Sequence, residues 1–323
     1  MSHLLEVKDL KKHFPLKRSW LGQATGKVHA VDGVSFHVER GETLSLVGES
    51  GCGKSTVGRS VLRLFDLTAG EVRLDGQRID NLSARQLRPM RQKLQVVFQD
   101  PFASLNPRMT VAQVLAEPIE NFEPHLSEQA QRARVERLLD LVRLPRDAAR
   151  RYPHEFSGGQ RQRICIARAL ASNPQLMICD EAVSALDVSV KAQIVNLLQD
   201  LQAELGLALL FISHDLGIVE HMTHRVAVMY LGRIVEQGTA RDLFAAPRHP
   251  YTQALLSAAP GQAKGHRRIV LKGDVPSPVN PPAGCHFHTR CRHAFDRCRS
   301  EAPVLEDKGH GHQAACHLQN LPD

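Results

Sequence analysis

One nine-residue stretch constrains this chain more than any other feature of its sequence. Residues 48–56 match the phosphate-binding loop pattern, GxxxxGK followed by Ser or Thr, at every fixed position. The stretch consists of Gly48, Glu49, Ser50, Gly51, Cys52, Gly53, Lys54, Ser55 and Thr56. An apolar run at 43–47 predicts a buried strand before it, and apolar residues from 57 to 65 are spaced as the buried face of a helix. The alternative is a chance glycine-rich turn before a helix.

The residue types of this loop suit the binding of a nucleoside triphosphate. Gly51 and Gly53 let backbone N–H groups close around phosphate oxygens, and the following helix adds the positive end of its dipole. Lys54 can reach the β- and γ-phosphates, and Ser55 can offer its hydroxyl to Mg²⁺. The loop therefore predicts a P-loop NTPase, an α/β fold.

Composition excludes several classes of protein. A length of 323 residues fits one large domain with an appendage. No apolar run approaches the ~18–20 residues needed to cross a bilayer, and residues 1–6 lack the layout of a secretory signal. The net charge of +7 is mild and comes without a basic patch interleaved with aromatic residues, so we expect no nucleic-acid partner.

The order of elements predicts two regions. Strands alternate with helices along residues 1–245, which indicates a mainly parallel sheet covered on both faces. Residues 4–10 predict a first strand and residues 11–27 a polar loop. Residues from 101 to about 172 have a helical pattern, so we expect a helical subdomain inserted in the nucleotide-binding domain. Residues 246–323 form a separate, irregular extension rich in proline and histidine.

Two further motifs carry chemistry. Asp180 and Glu181 follow the apolar run 176–179, at the end of a strand where parallel sheets bind ligands. Asp180 suits a contact with Mg²⁺ and Glu181 can hold an attacking water, whereas the alternative is a solvated acidic pair. A second glycine-rich helix start consists of Ser157, Gly158, Gly159 and Gln160. Because one nucleotide does not need two such sites in one domain, we infer that this loop covers a nucleotide bound by another subunit.

Together these motifs resemble the ATP-binding-cassette (ABC) family of transport ATPases over residues 4–245. The resemblance implies a head-to-tail dimer with two ATP molecules, each held between one subunit's phosphate loop and the other subunit's loop 157–160. It implies that Glu181 is the catalytic base, that His214 contacts the γ-phosphate, and that Gln99 senses Mg²⁺ and couples to a membrane partner. It also implies that Asp187 organises the dimer interface and that Phe14 stacks on adenine. For His214 the alternative is a residue that initiates a helix.

Ala182 departs from the family pattern, which usually has proline after the catalytic base. Proline stiffens that turn, so its loss is expected to loosen the position of Glu181. We expect a modest effect on turnover; much higher ATPase activity in an Ala182→Pro variant would contradict this.

The extension carries a cluster of thiols. Four of the seven cysteines lie there, with spacing C-x5-C-x6-C-x17-C. They are Cys285, Cys291, Cys298 and Cys316. In a reducing compartment such a cluster indicates a metal before it indicates disulfides, although the spacing matches neither paired structural zinc motifs nor bacterial ferredoxins.

Segments 102–107, 247–256 and 277–285 resemble the ATPase subunits of oligopeptide and dipeptide importers. Members that carry these cysteines are associated with a [4Fe–4S] cluster, so the resemblance implies such a cluster here. The alternative is Zn²⁺, with His286, His288 or His317 as a further ligand. The inferred role is structural, a cross-link in a segment poor in apolar residues.

We therefore expect an ATP-binding and ATP-hydrolysing subunit of a dipeptide or oligopeptide importer, peripheral to the cytoplasmic face of the cell membrane. The resemblance implies a second homologous ATPase subunit, two transmembrane permease subunits and an external solute-binding protein. An alternative cargo is nickel, glutathione or an antimicrobial peptide. A soluble cassette ATPase of DNA repair or ribosomes is the remaining alternative, disfavoured because the chain has one cassette and neither a long coiled-coil nor a zinc insertion. Whether the dimer is homo- or heteromeric stays open.

Overall fold

The computed structural model describes residues 3–16, 26–259 and 268–321. In chain order the strands are β1 (Leu5–Pro15), β2 (Lys27–Val38), β3 (Thr43–Val47), β4 (Ala69–Leu74), β5 (Gln77–Arg78), β6 (Leu94–Val97), β7 (Leu176–Asp180), β8 (Ala208–Ser213), β9 (Arg225–Tyr230), β10 (Arg233–Thr239), β11 (Glu306–Asp307) and β12 (Gln313–Ala314). The α-helices are α1 (Lys54–Val61), α2 (Ala84–Lys93), α3 (Pro101–Ser104), α4 (Val111–Phe122), α5 (Glu128–Leu141), α6 (Gly158–Leu170), α7 (Val188–Leu205), α8 (Leu216–Met222), α9 (Ala240–Ala245), α10 (Pro250–Ser257) and α11 (Asp296–Ser300). Short 3₁₀ helices lie at Arg146–Arg150 and Pro153–Glu155.

The chain divides into two compact units. The first comprises residues 1–37, 43–80 and 213–323, and the second comprises residues 38–42 and 81–212. The predicted phosphate loop and the whole described part of the extension belong to the first unit. The predicted acidic pair and the second glycine-rich helix start belong to the second.

The first unit contains strands of two sheets. One sheet has the order β2-β1-β4-β5, in which β4 pairs antiparallel with both β1 and β5. In the other, β3 is parallel to β9, and β10, β12 and β11 follow in antiparallel pairs. All residues of β3 are buried, including the polar Thr43 and Ser45. Because β12 lies in the extension and pairs with β10, the extension is joined to this sheet by backbone hydrogen bonds.

The second unit contains three parallel strands, β6, β7 and β8, with β7 in the middle. Every residue of β7 and β8 is buried, as expected for strands of a parallel sheet covered on both faces. The segment with a helical pattern, 101–172, contains α3 to α6, and α4 packs against α5 and α6. Ser or Thr side chains cap α2, α4, α5 and α6.

One part of the predicted layout is wrong. The strand predicted at 4–10 continues to Pro15, where a polar loop was expected from residue 11. Pairing with β4 extends to Lys11 opposite Ala69, after an irregularity at Lys8–Lys11. The reason is tertiary, because partner strands satisfy the backbone of a segment whose own composition is polar. Of the predicted loop, residues 17–25 lie outside the described residues.

The boundary predicted at residue 245 coincides with the end of α9, Ala240–Ala245. The extension nevertheless clusters with the first unit, so the division into two domains stays a prediction. Among the described residues, no helix has the length and apolar character required to cross a membrane.

Candidate nucleotide-binding site

The phosphate loop is shaped by glycines in the left-handed region. Gly48, Gly51 and Gly53 have φ of 151°, 80° and 107°. A Cβ on Gly53 would lie 2.1 Å from the carbonyl oxygen of Ala30, and one on Gly48 would lie 2.2 Å from that of Met229. The loop therefore needs glycine at these two positions for both conformation and space. This geometry leads directly from the buried β3 into α1.

Lys54 is folded back over this loop. Its Nζ donates hydrogen bonds of 2.9 Å to the carbonyl oxygens of both Gly48 and Glu49, and the residue is 4% exposed. Gly53 is the N-cap residue of α1 in the described part of the chain, and because it has no side chain it makes no side-chain cap hydrogen bond to the first turn of this helix. Ser55 and Thr56, in that first turn, are half-buried. The Lys54 ammonium and the N-terminus of a helix that starts at a glycine together make a candidate anion site.

Three further residues of the first unit were assigned by sequence to the loop or to its nucleotide: Cys52, Phe14 and His214. Burial raises the pKa of the Cys52 thiol, so this cysteine of the loop stays neutral. Phe14 is half-buried on β1, with its ring edge-on to Phe65 at 5.4 Å between centroids. His214 is exposed directly after β8. The adenine and γ-phosphate contacts of Phe14 and His214 stay predictions.

The second unit places the acidic pair at the end of β7. Asp180 is the last residue of the strand and is 5% exposed. Glu181 has φ of 51°, its N–H donates to the carbonyl oxygen of Ile212 at 3.0 Å, and its carbonyl accepts from the amide and hydroxyl of Ser184, each at 3.0 Å. Ala182, which follows, is 1% exposed. A tight, hydrogen-bonded turn therefore fixes the backbone of Glu181 without the proline that the family pattern has.

The second glycine-rich helix start is closed by its own side chains. Ser157 Oγ accepts from the Gln160 N–H at 3.4 Å, and Gln160 Oε1 accepts from the Ser157 N–H at 3.0 Å, which is a complete capping box. Gly158 and Gly159 are partly accessible within it. Asp187 is exposed at the N-cap of α7, and Gln99 is exposed just after β6. The roles predicted for these residues at a dimer interface stay predictions.

The four cysteines of the extension line one small cavity. Histidines at 249, 288, 293 and 317 line it as well, whereas His286 is not among its lining residues. Burial raises the pKa of Cys285 to about 11 and also raises the pKa of Cys291 and Cys316. Within the described residues, no three of these sulfur atoms lie within 4.8 Å of one another. Four thiolates on one zinc ion would lie about 3.8 Å apart, given Zn–S bonds of ~2.3 Å.

Two residues of the extension contact the phosphate loop, although no sequence pattern indicated that either of them lies there. The Tyr251 hydroxyl accepts a hydrogen bond from the Glu49 N–H at 2.8 Å, and the Arg290 guanidinium pairs with the Glu49 carboxylate at 2.7 Å. These partners are 202 and 241 residues from Glu49 in sequence. The one sequence feature that pointed toward Tyr251 was the family resemblance of segment 247–256, and that resemblance does not indicate which residues Tyr251 contacts.

Comparison with known proteins agrees with this geometry. The family model described as ABC transporter matches residues 31–184, and the model described as oligopeptide/dipeptide transporter, C-terminal region, matches residues 235–298. A probable peptide ABC transporter ATP-binding protein of Sinorhizobium fredii is 55% identical over 98% of this chain and 90% of its own length. The oligopeptide transport ATP-binding protein AppF of Bacillus subtilis is 52% identical over 98% and 97%.

Solved structures agree as well. The dimeric post-hydrolysis state of the ATP-binding cassette MJ0796, bound to ADP and Pi, matches with a TM-score of 0.65 and 28% sequence identity. The match covers 73% of this chain and 99% of that one.

Proposed function

This chain belongs to the ABC transporter ATP-binding family and carries the C-terminal region of its oligopeptide/dipeptide branch; from that premise we propose that it energises the import of short peptides. It is an ATPase of this family. The observation that carries the proposal is the presence of both family regions on one chain, 31–184 and 235–298. Relatives 51–55% identical over nearly the whole chain bear names of peptide or oligopeptide transport.

The loop binds the triphosphate through groups that are already in place. The N–H groups at the start of α1 and the ammonium of Lys54 receive the β- and γ-phosphates. Ser55 and Asp180 would hold Mg²⁺ through a hydroxyl and a carboxylate, the oxygen donors that this ion prefers, and the ion would supply positive charge to the phosphate oxygens. Glu181, fixed by the turn after β7, accepts a proton from the attacking water as general base.

We assign the remaining predicted residues to a head-to-tail dimer. The loop 157–160 of one subunit covers the nucleotide bound to the other, with Asp187 at the interface. Gln99 and His214 sense Mg²⁺ and the γ-phosphate, and Phe14 stacks on adenine. The dimer partner is a second homologous ATPase subunit. Two transmembrane permease subunits and an external solute-binding protein complete the importer, and this chain lies at the cytoplasmic face of the membrane.

Peptide uptake tests this function directly. Cells that lack this chain are supplied with the wild-type gene or with Lys54→Ala, and uptake of a labelled dipeptide and a labelled tetrapeptide is measured. Wild type restores peptide uptake and Lys54→Ala does not. Restored uptake of nickel or glutathione in place of peptides would show that the cargo is wrong, while the ATPase role would stand.

For the extension we propose a [4Fe–4S] cluster held by Cys285, Cys291, Cys298 and Cys316. Support comes from the four thiols that line one cavity. A bound cluster would supply positive charge that stabilises the thiolates, offsetting the effect of burial. Its role is to cross-link a segment whose described strands, β11 and β12, have only two residues each.

Metal analysis decides this assignment. The full-length protein is purified without oxygen, and iron, sulfide and zinc are measured with the visible spectrum. Iron and sulfide near four per chain support the cluster. One zinc ion per chain would show that the cysteines bind zinc instead of the cluster. The absence of iron, sulfide and zinc would refute a metal cross-link. A Cys291→Ser variant is expected to lose the bound metal, whereas Cys165→Ser, buried in α6, is expected to keep it.

A further inference from the structure

In the described part of the chain, hydrogen bonds join the extension to the phosphate loop at Glu49. The Glu49 backbone N–H donates to the Tyr251 hydroxyl oxygen at 2.8 Å. The Arg290 guanidinium donates to both oxygens of the Glu49 carboxylate, at 2.7 and 3.1 Å. This is the two-pronged pairing that gives an arginine–carboxylate contact both strength and orientation. Main chain and side chain of Glu49 are therefore both held by the extension.

These two contacts come from one packed aromatic cluster. The Tyr251 ring is fully buried, with its centroid 4.7 Å from that of Tyr230 and 5.4 Å from that of Phe287. The Arg290 guanidinium lies 6.0 Å from the centroid of the Tyr230 ring, and its side chain is 7% exposed. Because only 7% of the Arg290 side chain and 28% of the Glu49 side chain are exposed, water competes less for this ion pair than for one at the open surface.

Glu49 is hydrogen-bonded in turn to Lys54, the lysine proposed to bind phosphate. The carbonyl oxygens of Gly48 and Glu49 each accept a hydrogen bond of 2.9 Å from Lys54 Nζ. The Glu49 carbonyl also accepts from the Cys52 N–H at 3.3 Å, across the loop. A rotation of the Glu49 peptide would therefore displace both the Lys54 ammonium and the turn that follows.

We propose that Arg290 and Tyr251 are positioning residues for ATP binding: they hold Glu49, and through it the phosphate loop and Lys54, in the shape that receives the nucleotide. The inference rests on the proposed function only in taking ATP as the ligand. The competing explanation is that the ion pair merely fastens the extension to the rest of the unit. A fastening role predicts a loss of thermal stability without a change in ATP affinity.

ATP affinity of the full-length chain, purified without oxygen, separates the two roles. Binding of a fluorescent ATP analogue with Mg²⁺ is titrated for the wild type, Arg290→Gln and Tyr251→Phe. We expect the dissociation constant to rise about tenfold for Arg290→Gln and about threefold for Tyr251→Phe, which loses one neutral hydrogen bond and keeps its ring. Arg290→Lys, which keeps the charge without the fork, is expected to recover part of the loss.

The matched control is Arg297→Gln. Arg297 donates two hydrogen bonds of 2.8 Å to Glu301 in the same extension, but this pair is exposed and does not touch the loop. We expect wild-type affinity in this variant. The single variant Glu49→Gln and the double variant Glu49→Gln/Arg290→Gln test whether Arg290 acts through Glu49. If it does, the double variant should bind ATP no more weakly than whichever of Glu49→Gln and Arg290→Gln binds it more weakly.

Three results would overturn the proposal. Wild-type ATP affinity in both Arg290→Gln and Tyr251→Phe, with a lower melting temperature, would reduce the contact to a fastening and leave the ATPase function intact. Additive losses in the double variant would show that Arg290 acts by a route other than Glu49. A wild-type chain that fails to bind the nucleotide would overturn this proposal and the proposed function together.

Discussion

The two glycine-rich helix starts of this protein resemble each other in sequence but are built differently. The N-terminus of α1 has Gly53 before it, at φ 107°, and among the described side chains none caps it. The N-terminus of α6 has Ser157 before it, in a complete capping box with Gln160. The residue before the first helix offers its amides no side-chain acceptor, whereas the capping box of the second satisfies two of its amides. We infer that the first is a primary phosphate site and that the second binds phosphate only when a nucleotide is presented by another subunit.

The glycines of the two loops also serve different needs. Position 53 requires glycine because its backbone is in the left-handed region and because a Cβ there would clash with the carbonyl oxygen of Ala30. Gly159 has no such backbone requirement, but a Cβ there would approach Val190 Cγ1 to 2.4 Å. Conformation therefore selects glycine in the first loop, and side-chain packing selects it in the second.

The largest expected effect comes from removing the lysine. Lys54→Ala should weaken ATP binding roughly 100-fold, because a charge-assisted contact with phosphate is worth about 1.5–3 kcal/mol. Titration with a fluorescent ATP analogue measures it. Lys8→Ala, which removes an exposed lysine that pairs with Glu6, serves as the control and should bind normally. Normal ATP affinity in Lys54→Ala would contradict the inference that the first helix start is the primary phosphate site.

The next effect tests whether the first loop depends on backbone geometry. Gly53→Ala should lower the free energy of unfolding by about 3 kcal/mol, from left-handed strain and the clash with Ala30. Gly51→Ala, also at positive φ but with open space around a Cβ, should cost about 1 kcal/mol. Urea unfolding midpoints give the comparison. Equal costs at the two positions would show that space is unimportant there.

A smaller effect tests packing in the second loop. Gly159→Ala should cost about 2 kcal/mol of stability, because Val190 must move. Gly158→Ala places its Cβ 3.7 Å from Leu186 Cδ2, an ordinary contact, and should change stability by no more than about 0.5 kcal/mol. Lower ATPase activity of the assembled importer carrying Gly158→Ala, with unchanged stability, would locate the partner's nucleotide at this loop. Unchanged activity would argue against that location.

The smallest effect tests the cap itself. Ser157→Ala removes the hydroxyl that accepts from Gln160 and should cost about 1 kcal/mol. Ser189→Ala, at an exposed position in the first turn of α7, is the matched change and should cost nothing measurable. Thermal melting of the two variants decides the point. A stability loss shared by both would mean that the capping box contributes little.

Much of the fold and of the candidate site could be predicted from local pattern. The phosphate loop, the buried strands β3, β7 and β8, and the acidic pair at the end of β7 each depend on neighbours within about ten residues. The continuation of β1 to Pro15 could not be predicted in this way. Its hydrogen bonds are made to other strands, so its own polar composition indicated a loop.

The sequence by itself determined which residues make up the candidate site, because a phosphate loop and an acidic pair need particular residue types at fixed short spacings. Only the tertiary structure decided how the extension relates to that site. Glu49 meets Tyr251 and Arg290 across 202 and 241 residues, and the cysteines share one cavity through turns that no short spacing specifies. The physical reason is that such contacts depend on how distant segments pack, which local composition does not encode.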